Sequence, residues 1–531
     1  MPTYEGTILD TGGAVINVRS SAYGATGNGV TDDTAAIQAA VNAAVDAAVD
    51  AGRGIVLIPP GTYVVKQVFL APGITISGYR ATLLRPANQP NWTRTLSVPE
   101  NPHNPPINAP GVWGGPKDSD PLVIRGLTLD GNSLNQGHDG YNLQQSHLLF
   151  LSASPSQAGR LRVTLEDVVF RNVVADGVNV FTNVDVQIVN CRADDCWRGG
   201  VNVTGGYSVV QVQNLITTGN LHRTGVDVEV DGFGYGNTEK VDLIFDGLLL
   251  DADFDVALSQ GSTLVATNVI GGSGLYLEAP DSTVRIANSR FRIGASDGKI
   301  VYPSDVTFEN CIFELAAPDR ATQVQWEGGL TPTGQRLRFR DCDFRVAAGT
   351  AAGTRVAIYT EPDYKSRDNR LIVEGGSISS GFTIGMQMGQ GGVWIVKDTE
   401  IEAGTAFNWH ALHTAGGLAT TADIRIERVG FRGTTYMHVA NKHIHNVLDQ
   451  RDVVLEELHN KITSTYGVDA NEYRGGRIIR VASSPVGRSV PGFVGDVARI
   501  AKPMAGDPYE WVCTVSSETA ATWKQVTALA A

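Results

Sequence analysis

One short pattern recurs along most of the chain and limits the folds open to it. Apolar and polar residues alternate, an Asn or Asp follows, and another apolar residue comes three positions later, as in VTLEDVVF (163–170) and VQIVNCRA (186–193). The marker residues are Asp167, Asn190, Asn214, Asp246, Asn268, Asn288, Asn310 and Asp341. They are separated by 23, 24, 32, 22, 20, 22 and 31 residues, a period near 22 with insertions of about ten residues.

This repeat predicts stacked coils. Alternation with a period of two is typical of a strand with one face buried. Asn and Asp at the corner suit a tight bend, because their short side chains tolerate left-handed backbone. We therefore predict a parallel β-helix from about residue 121 to residue 459. A β-sandwich with evenly spaced strands is the alternative, but sandwiches do not repeat one corner residue at a fixed offset.

A second strand in each coil can be aligned in the same way. The segments are DGVNVFT (176–182), GGVNVTG (199–205), GVDVEVD (225–231), DVALSQG (255–261) and GLYLEAP (274–280). The alignment places Val178, Val201, Val226 and Leu275 in one inward column. Their outward neighbours are then expected to form the floor of a long groove.

Size and charge narrow the function. A chain of 531 residues with 60 Gly exceeds one compact core and favours a β-rich solenoid. Its net charge of −13 argues against nucleic acid or an anionic membrane as partner. No apolar run reaches the roughly 18 residues of a membrane span, and the first residues lack the layout of a secretory signal. We expect a soluble protein that is not exported by a signal peptide.

The five cysteines show no metal-binding spacing. Cys191, Cys311 and Cys342 each follow a corner residue directly, which predicts small buried side chains. Cys311 and Cys342 lie in neighbouring coils and could form a disulfide.

The segment before the coils carries a family resemblance. VRSSAYGATGNGVTDDTAAIQAAVNAA (18–44) and GRGIVLIPPGTYVV (52–65) closely resemble the opening of pectate-lyase-superfamily proteins. The resemblance implies a right-handed parallel β-helix whose open edge is covered by a helix, N-capped by Asp32, Asp33 or Thr34 and ending near Asp50. It indicates the fold and not the reaction, because the superfamily includes lyases, glycoside hydrolases, epimerases and phage tailspikes.

The C-terminal stretch 481–526 is similar to short β-rich modules of phage tail fibres and tailspikes. That similarity implies a virion tail protein, extracellular after release, and a homotrimer. A small β cap or binding module on a bacterial enzyme is the alternative. We divide the chain into an N-terminal segment with the capping helix and first coil (1–120), the β-helix (121–462) and the C-terminal module (463–531).

The most acidic groove strand suggests catalysis. Asp227, Glu229 and Asp231 alternate with valines, so their side chains share the outward face about 6.5–7 Å apart. Such crowding raises at least one carboxyl pKa, which suits a general acid. GVDVEV also resembles the G-I-D-I-E-P element of some β-helix glycoside hydrolases, except that Val230, followed by Asp231, stands in place of Pro. Asp227 and Glu229 are the first catalytic pair, with Asp255 and Asp195 in reserve.

Other residues are candidates for substrate binding. They are Asp176, Trp197, Arg198, His222, Arg223, Asp231, Tyr276 and Glu278. The order of Asp176, Asp195 and His222 partly resembles that of polygalacturonases, and Trp197 offers an aromatic face for a sugar ring. Two loops, 130–142 with His138 and Asp139 and 101–116 with Trp113, could also reach the groove.

Together these features predict an endo-acting glycoside hydrolase that uses paired carboxylates on a bacterial-surface or plant-type cell-wall polysaccharide. A polysaccharide lyase or epimerase and a non-catalytic glycan-binding tail protein are the alternatives. No cofactor is required for hydrolysis, although Asp227, Asp231 and Asp255 could hold Ca²⁺.

Overall fold

The computed structural model describes most of the chain. The described residues are 14–51, 53–98, 121–137, 145–153, 159–219, 224–230, 239–294, 298–326, 334–360, 369–388, 392–409, 422–433, 435–439, 447–451, 453–456, 462–464, 477–490, 492, 494–500, 508–517 and 520–528. They belong to two compact units, Met1–Gly272 and Ser273–Ala531. No helix within these ranges is long and apolar enough to cross a membrane.

The first unit consists of short strands and one long helix. Its elements are β1 (Ala14–Asn17), β2 (Asn28–Asp32), α1 (Thr34–Ala51), β3 (Gly54–Leu57), β4 (Gly61–Val64), β5 (Val68–Phe69), β6 (Ile74–Leu84), β7 (Leu96–Ser97), β8 (Leu122–Asp130), a 3₁₀ helix (Ser133–Asn135), β9 (Leu149–Leu151), β10 (Leu161–Glu166), β11 (Val169–Val173), β12 (Val178–Val180), β13 (Val184–Val189), β14 (Arg192–Cys196), β15 (Gly199–Val203), β16 (Val209–Thr218), β17 (Thr224–Glu229), β18 (Asp242–Leu249), β19 (Asp253–Ala257), β20 (Thr263–Thr267) and β21 (Ile270–Gly271).

Parallel pairing arranges these strands in three ladders, one on each side of the coil. The first ladder contains β1, β3, β10, β13 and β20, and the second contains β2, β4, β11, β14 and β21. The long strands β6, β8, β16 and β18 bend at a corner and contribute to both. The third ladder runs through β5, β7, β9, β12, β15, β17 and β19.

The core is a set of stacked apolar columns. In the first ladder Leu165, Ile188, Val212, Phe245 and Ala266 occupy consecutive paired positions, and all are buried. Burying each large apolar side chain contributes about 1.5–3 kcal/mol. The predicted inward column of the third ladder is confirmed for its members in this unit, because Val178 pairs with Val201 and Val201 with Val226.

The corner residues adopt the predicted conformation. Of the eight markers, seven have a φ between 50° and 56°. Asp246 is the exception, and there the next residue, Gly247, takes the left-handed conformation with a φ of 68°. Corner side chains also bond along the stack, since the Asn214 amide donates to Asn190 Oδ1 (3.0 Å) and the Asn268 amide to Asp246 Oδ1 (2.7 Å).

Helix α1 covers the first coils as predicted. Its buried residues include Ile37, Val41 and Ala44, and the close approach to β3 requires a glycine at position 54, where a Cβ would lie 1.9 Å from the Ala44 carbonyl oxygen. Asp32 Oδ1 accepts from the Thr34 amide at 3.1 Å and so caps the helix. The Asp33 carboxylate instead binds the amides of residues 26 and 27.

The second unit continues the same architecture within itself. Its strands are β22 (Leu275–Glu278), β23 (Thr283–Ala287), β24 (Arg290–Ile293), β25 (Gly298–Val301), β26 (Asp305–Glu309), β27 (Ile312–Leu315), β28 (Ala321–Gln325), β29 (Arg336–Arg340), β30 (Asp343–Val346), β31 (Val356–Thr360), β32 (Arg370–Glu374), β33 (Ser377–Met388), β34 (Gly392–Lys397), β35 (Glu400–Trp409), β36 (Ala422–Glu427), β37 (Gly430–Arg432), β38 (Thr435–Val439), β39 (Val447–Arg451), β40 (Val453–Glu456), β41 (Ile462–Ser464), β42 (Arg477–Val481), β43 (Val497–Ile500), β44 (Pro508–Val515) and β45 (Thr522–Ala528). Pairing is parallel from β22 through β43.

The chain ends in an antiparallel β module. Strand β43 pairs with β44, and β44 with β45, both antiparallel. Trp511 and Trp523 lie in its buried apolar cluster. A fully buried ion pair, Arg477 with Asp496, joins the start of β42 to the residue preceding β43. The predicted all-β fold with a capping helix and a β-rich C-terminal module is therefore correct.

Parallel pairing extends beyond the predicted limits of the β-helix, 121–462. Parallel pairing already joins β1, β3, β6 and β8, and it continues through β42 and β43. The coil formed by β6 lacks the pattern because its left-handed corner is Arg80 instead of Asn or Asp. All five cysteines are buried free thiols, so the suggested Cys311–Cys342 disulfide is absent.

Candidate functional site

The candidate site lies on the outward side of the third ladder. Asp227 on β17 pairs with Asn202 on β15 and with Asp255 on β19, and Glu229 pairs with Ala257. The neighbours of Asp227 are those that the repeat predicts. Val226, Val228 and Val230 are buried inside the coil.

The outward column is not the open groove floor that the sequence suggested. Phe150, Asn179, Asn202 and Asp227 follow one another along the ladder, and each is at least nine-tenths buried. Alternation determines which side of a strand a residue faces, whereas the cover over that side depends on the rest of the fold. Asp227 therefore sits in a recess, not on an exposed surface.

Arg198 directly precedes β15, and its guanidinium lies close to three acidic side chains. Its Nη2 lies 2.9 Å from Glu229 Oε2 and 3.7 Å from Asp227 Oδ2, while Nη1 lies 4.0 Å from Asp176 Oδ2. The Asn202 amide donates to Asp227 Oδ2 at 3.3 Å. One guanidinium thus faces three carboxyl groups.

The three carboxyl groups differ sharply in exposure. The side chain of Glu229 is 50% exposed, that of Asp227 is 11% exposed and that of Asp176 is fully buried. Burial raises the pKa of Asp227 well above its usual value, and the charges of Glu229, Asp255 and Asp176 raise it further. Burial disfavours the charge on Arg198, but the surrounding carboxylates outweigh it, so the Arg198 pKa lies above its ordinary value.

The separation of the predicted catalytic pair has an upper limit. Because both oxygens are within 3.7 Å of Arg198 Nη2, Asp227 Oδ2 and Glu229 Oε2 lie no more than about 6.6 Å apart. Glycosidases place their two carboxyl groups about 5–9.5 Å apart. A protonated carboxyl beside a charged, half-exposed carboxylate is an arrangement that can perform acid and base chemistry together.

Two reserve residues lie in different places. Asp255 is partly buried directly beside Asp227 on the third ladder. Asp195 belongs to β14 on the second ladder, where it is an exposed corner residue with a φ of 51°. The structure thus brings Asp255, but not Asp195, into the paired column of Asp227.

Asp176 does not suit the role of substrate contact that the sequence suggested. Its side chain is fully buried, and its Oδ2 faces His147 and Arg198. Trp197 is partly buried beside Arg198 in the chain, with its amide bonded to the Val173 carbonyl.

Two further candidates belong to the second unit. Tyr276 and Glu278 share β22 in the second unit, where the Tyr276 hydroxyl donates to Glu278 at 2.8 Å. The candidates that lie outside the described residues are His222, Arg223, Asp231, His138, Asp139 and Trp113. In the part of the chain that is described, no three metal-ligating side chains come together, and Asp231 of the suggested Ca²⁺ set lies outside it.

Sequence reasoning missed His147. Its Nδ1 lies 3.0 Å from Asp176 Oδ2, and both side chains are fully buried. One signal could have revealed it: Leu149 pairs with Val178, and His147 and Asp176 each stand two residues before those aligned positions. Extending the strand alignment by one coil towards the N-terminus places the two side by side.

With three parallel ladders and a helix over the first coils, this chain is a right-handed parallel β-helix protein, and its N-terminal part is similar to pectate-lyase-like proteins. More narrowly, a family model described as "Rhamnogalacturonase A/epimerase, pectate lyase-like" matches residues 15–105. No curated protein sequence is significantly similar to the chain.

Solved structures resemble the fold at low sequence identity. The A-module of mannuronan C-5 epimerase AlgE4 from Azotobacter vinelandii is 19% identical, with a TM-score of 0.47 over 71% of this chain and 99% of that one. The family 28 exopolygalacturonase of Yersinia enterocolitica is 14% identical, with a TM-score of 0.30 over 88% and 78%. Tailspike protein 3 of bacteriophage CBA120 is 12% identical, with a TM-score of 0.35 over 97% and 70%.

Proposed function

We propose that this protein is a polysaccharide depolymerase, an endo-acting glycoside hydrolase whose acid is Asp227 and whose second carboxylate is Glu229. The observation that carries the proposal is the contrast between these two residues on one strand. Asp227 is buried with a raised pKa, and Glu229 is half-exposed and paired with Arg198 at 2.9 Å. The description of the matched family model supports a polysaccharide as substrate.

In this scheme Asp227 donates its proton to the leaving glycosidic oxygen. Glu229, whose Oε2 lies 2.9 Å from Arg198 Nη2, activates water or attacks the sugar directly. Asp255, beside Asp227, is the alternative second carboxylate. Hydrolysis by this pair needs no metal, and Ca²⁺ remains a separate proposal that a chelator tests.

The test is product release from purified capsular, cell-wall and pectic glycans. Asp227→Asn and Glu229→Gln should each reduce kcat by about 10²–10⁴, the range over which a general acid or base contributes. Asp246→Asn is the matched control, since Asp246 is a corner carboxylate bonded to Thr267 and Asn268 outside this ladder. If both site variants keep wild-type activity, the assignment is wrong.

The same assay separates the rival functions. A lyase produces an unsaturated uronate that absorbs near 235 nm, and an epimerase changes uronate composition without cleavage. The matched family model includes epimerases in its description, which keeps this alternative open. Glycan binding without any product at high protein concentration would instead identify a non-catalytic binding protein.

The proposal also includes the oligomeric state of the protein and the place where it acts. The tailspike-like sequence at the C-terminus and the antiparallel module that it forms support a homotrimeric virion tail protein acting outside the cell. Electron microscopy of purified particles labelled with an antibody against the chain checks this location.

A further inference from the structure

Beneath the candidate site lies a buried pair that the hydrolytic scheme does not use. Asp176 Oδ2 is 3.0 Å from His147 Nδ1 and 4.0 Å from Arg198 Nη1. Neither Asp176 nor His147 is exposed to solvent. Both carboxyl oxygens of Asp176 are buried without a hydrogen bond of good geometry, so the His147 ring and the Arg198 guanidinium act on this carboxyl group through their charge and polarity.

His147 is held in the interior. Its ring stacks on Phe150 with centroids 6.2 Å apart, and its Nε2 lies 3.3 Å from Gln145 Oε1. Burial lowers the pKa of His147, and the nearby Arg94 and Arg198 lower it further, although Asp176 opposes them. The two ring nitrogens face two oxygens, Asp176 Oδ2 at Nδ1 and Gln145 Oε1 at Nε2. A neutral imidazole protonated on Nδ1 points its N–H towards Asp176 when the Gln145 amide is turned over to present its NH₂ group to Nε2.

Among the described residues, the Arg198 guanidinium meets more carboxyl groups than its single charge can neutralise. One guanidinium faces Asp176, Asp227 and Glu229 within 4.0 Å, and Asp255 adjoins Asp227 from β19. A proton on one acid reduces the repulsion. The guanidinium meets Glu229 at hydrogen-bonding distance and leaves Asp227 at 3.7 Å.

We propose that Asp176 and His147 are positioning residues: the buried Asp176 carboxyl group, between His147 Nδ1 and Arg198 Nη1, fixes the guanidinium so that Nη2 bonds to Glu229 and leaves Asp227 beyond hydrogen-bonding distance. The inference rests on the proposed function for its catalytic meaning. Its physical content, the coupling of Asp176 to the protonation of Asp227, can be measured without any substrate.

Asp176→Asn tests the coupling in two ways. The change removes one negative charge and frees Arg198 to pair with Asp227, so the pKa of Asp227 should fall. In an active enzyme, the basic limb of the pH profile of kcat/KM then shifts to lower pH by about one unit. A loss of activity at every pH with an unshifted limb would mean that Asp176 is merely structural.

The second measurement is a thermal double-mutant cycle at pH 7. Asp227→Asn should raise the melting temperature in the wild-type background and raise it less in the Asp176→Asn background. Equal gains in both backgrounds overturn the inference even if the protein cleaves glycans. A reduced gain in a protein that cleaves no glycan supports the coupling while the proposed function fails.

His147 supplies a second pair of variants in case Asp176→Asn does not fold. His147→Gln retains a donor towards Asp176 and should keep the wild-type pH limb and stability gain. His147→Leu removes the donor at a fully buried position and should reproduce the effects of Asp176→Asn. Identical pH limbs and identical Asp227→Asn gains in the two His147 variants would contradict the role given to His147.

Discussion

The raised pKa that suits Asp227 to acid catalysis also lowers the stability of the folded protein at neutral pH. Because burial and three nearby carboxyl groups raise its folded pKa above the ordinary value of 3.8, the folded state holds a proton that the unfolded state releases. This contribution is fully present below the unfolded pKa and is lost as the pH rises through the folded pKa. Asp227→Asn should therefore stabilise the protein at pH 7 by about 0.5–2 kcal/mol, measured by thermal unfolding.

The pH dependence of the stability gain in Asp227→Asn provides the control for this prediction. The advantage of Asp227→Asn should shrink as the pH falls towards 4. Asp246→Asn should behave in the opposite way, because hydrogen bonds from Thr267 and Asn268 lower the pKa of Asp246. That variant should lose stability at neutral pH and recover in acid. A destabilised Asp227→Asn protein at pH 7 would show that Asp227 is stabilising as an anion.

The neighbours of an individual residue could be predicted from the sequence where the repeat determines the position of that residue. The period places Asp227 between Asn202 and Asp255, and the structure agrees. Burial could not be predicted, because cover over an outward strand face comes from segments that follow no period. Asp176 was for this reason taken for a substrate contact, and His147 was missed.

At the scale of the structural element, a substitution at a corner tests the coil architecture most directly. Gly247 has a φ of 68°, and a Cβ added there would lie 2.6 Å from Asn214 Oδ1. Gly247→Ala should cost about 2–3 kcal/mol, from left-handed strain of about 1–2 kcal/mol and a disturbed corner hydrogen bond of about 1 kcal/mol. The measurement is denaturant unfolding.

Gly261→Ala is the matched control for this element. Its φ of 75° is also left-handed, but a Cβ added there meets nothing within 4 Å. Only the strain remains, so the loss should be about 1–2 kcal/mol. Equal losses in the two variants would show that the Asn214 contact contributes nothing to the corner.

Element-scale prediction depended on the same corners. The Asn and Asp markers located the coils correctly, and the Ala-rich stretch after Asp33 predicted the capping helix. The coil whose corner is Arg80 carried no recognisable marker, since any residue held by its neighbours can adopt left-handed backbone. The predicted start of the β-helix was late for that reason.

At the scale of the whole molecule, the first unit has a row of exposed apolar side chains that offers the proposed homotrimer an interface. Ile216, Leu249 and Ile270 occupy consecutive paired positions on the outward side of the second ladder. They are 39%, 47% and 48% exposed. Stacked apolar side chains on an outer face are costly in a monomer and are typical of surfaces that associate. We expect a second copy of this chain to cover the row.

Light scattering after size exclusion tests this expectation. Three copies of the 56.5 kDa chain weigh about 170 kDa, and we expect that mass for the wild type. Leu249→Lys places a charge in the middle of the row and should shift the protein towards the monomer while the circular dichroism spectrum stays β-rich. Leu134→Lys is the control, because Leu134 is almost fully exposed and lies outside the row. A wild-type monomer would contradict the trimer, and a trimer indifferent to Leu249→Lys would place its interface on another face.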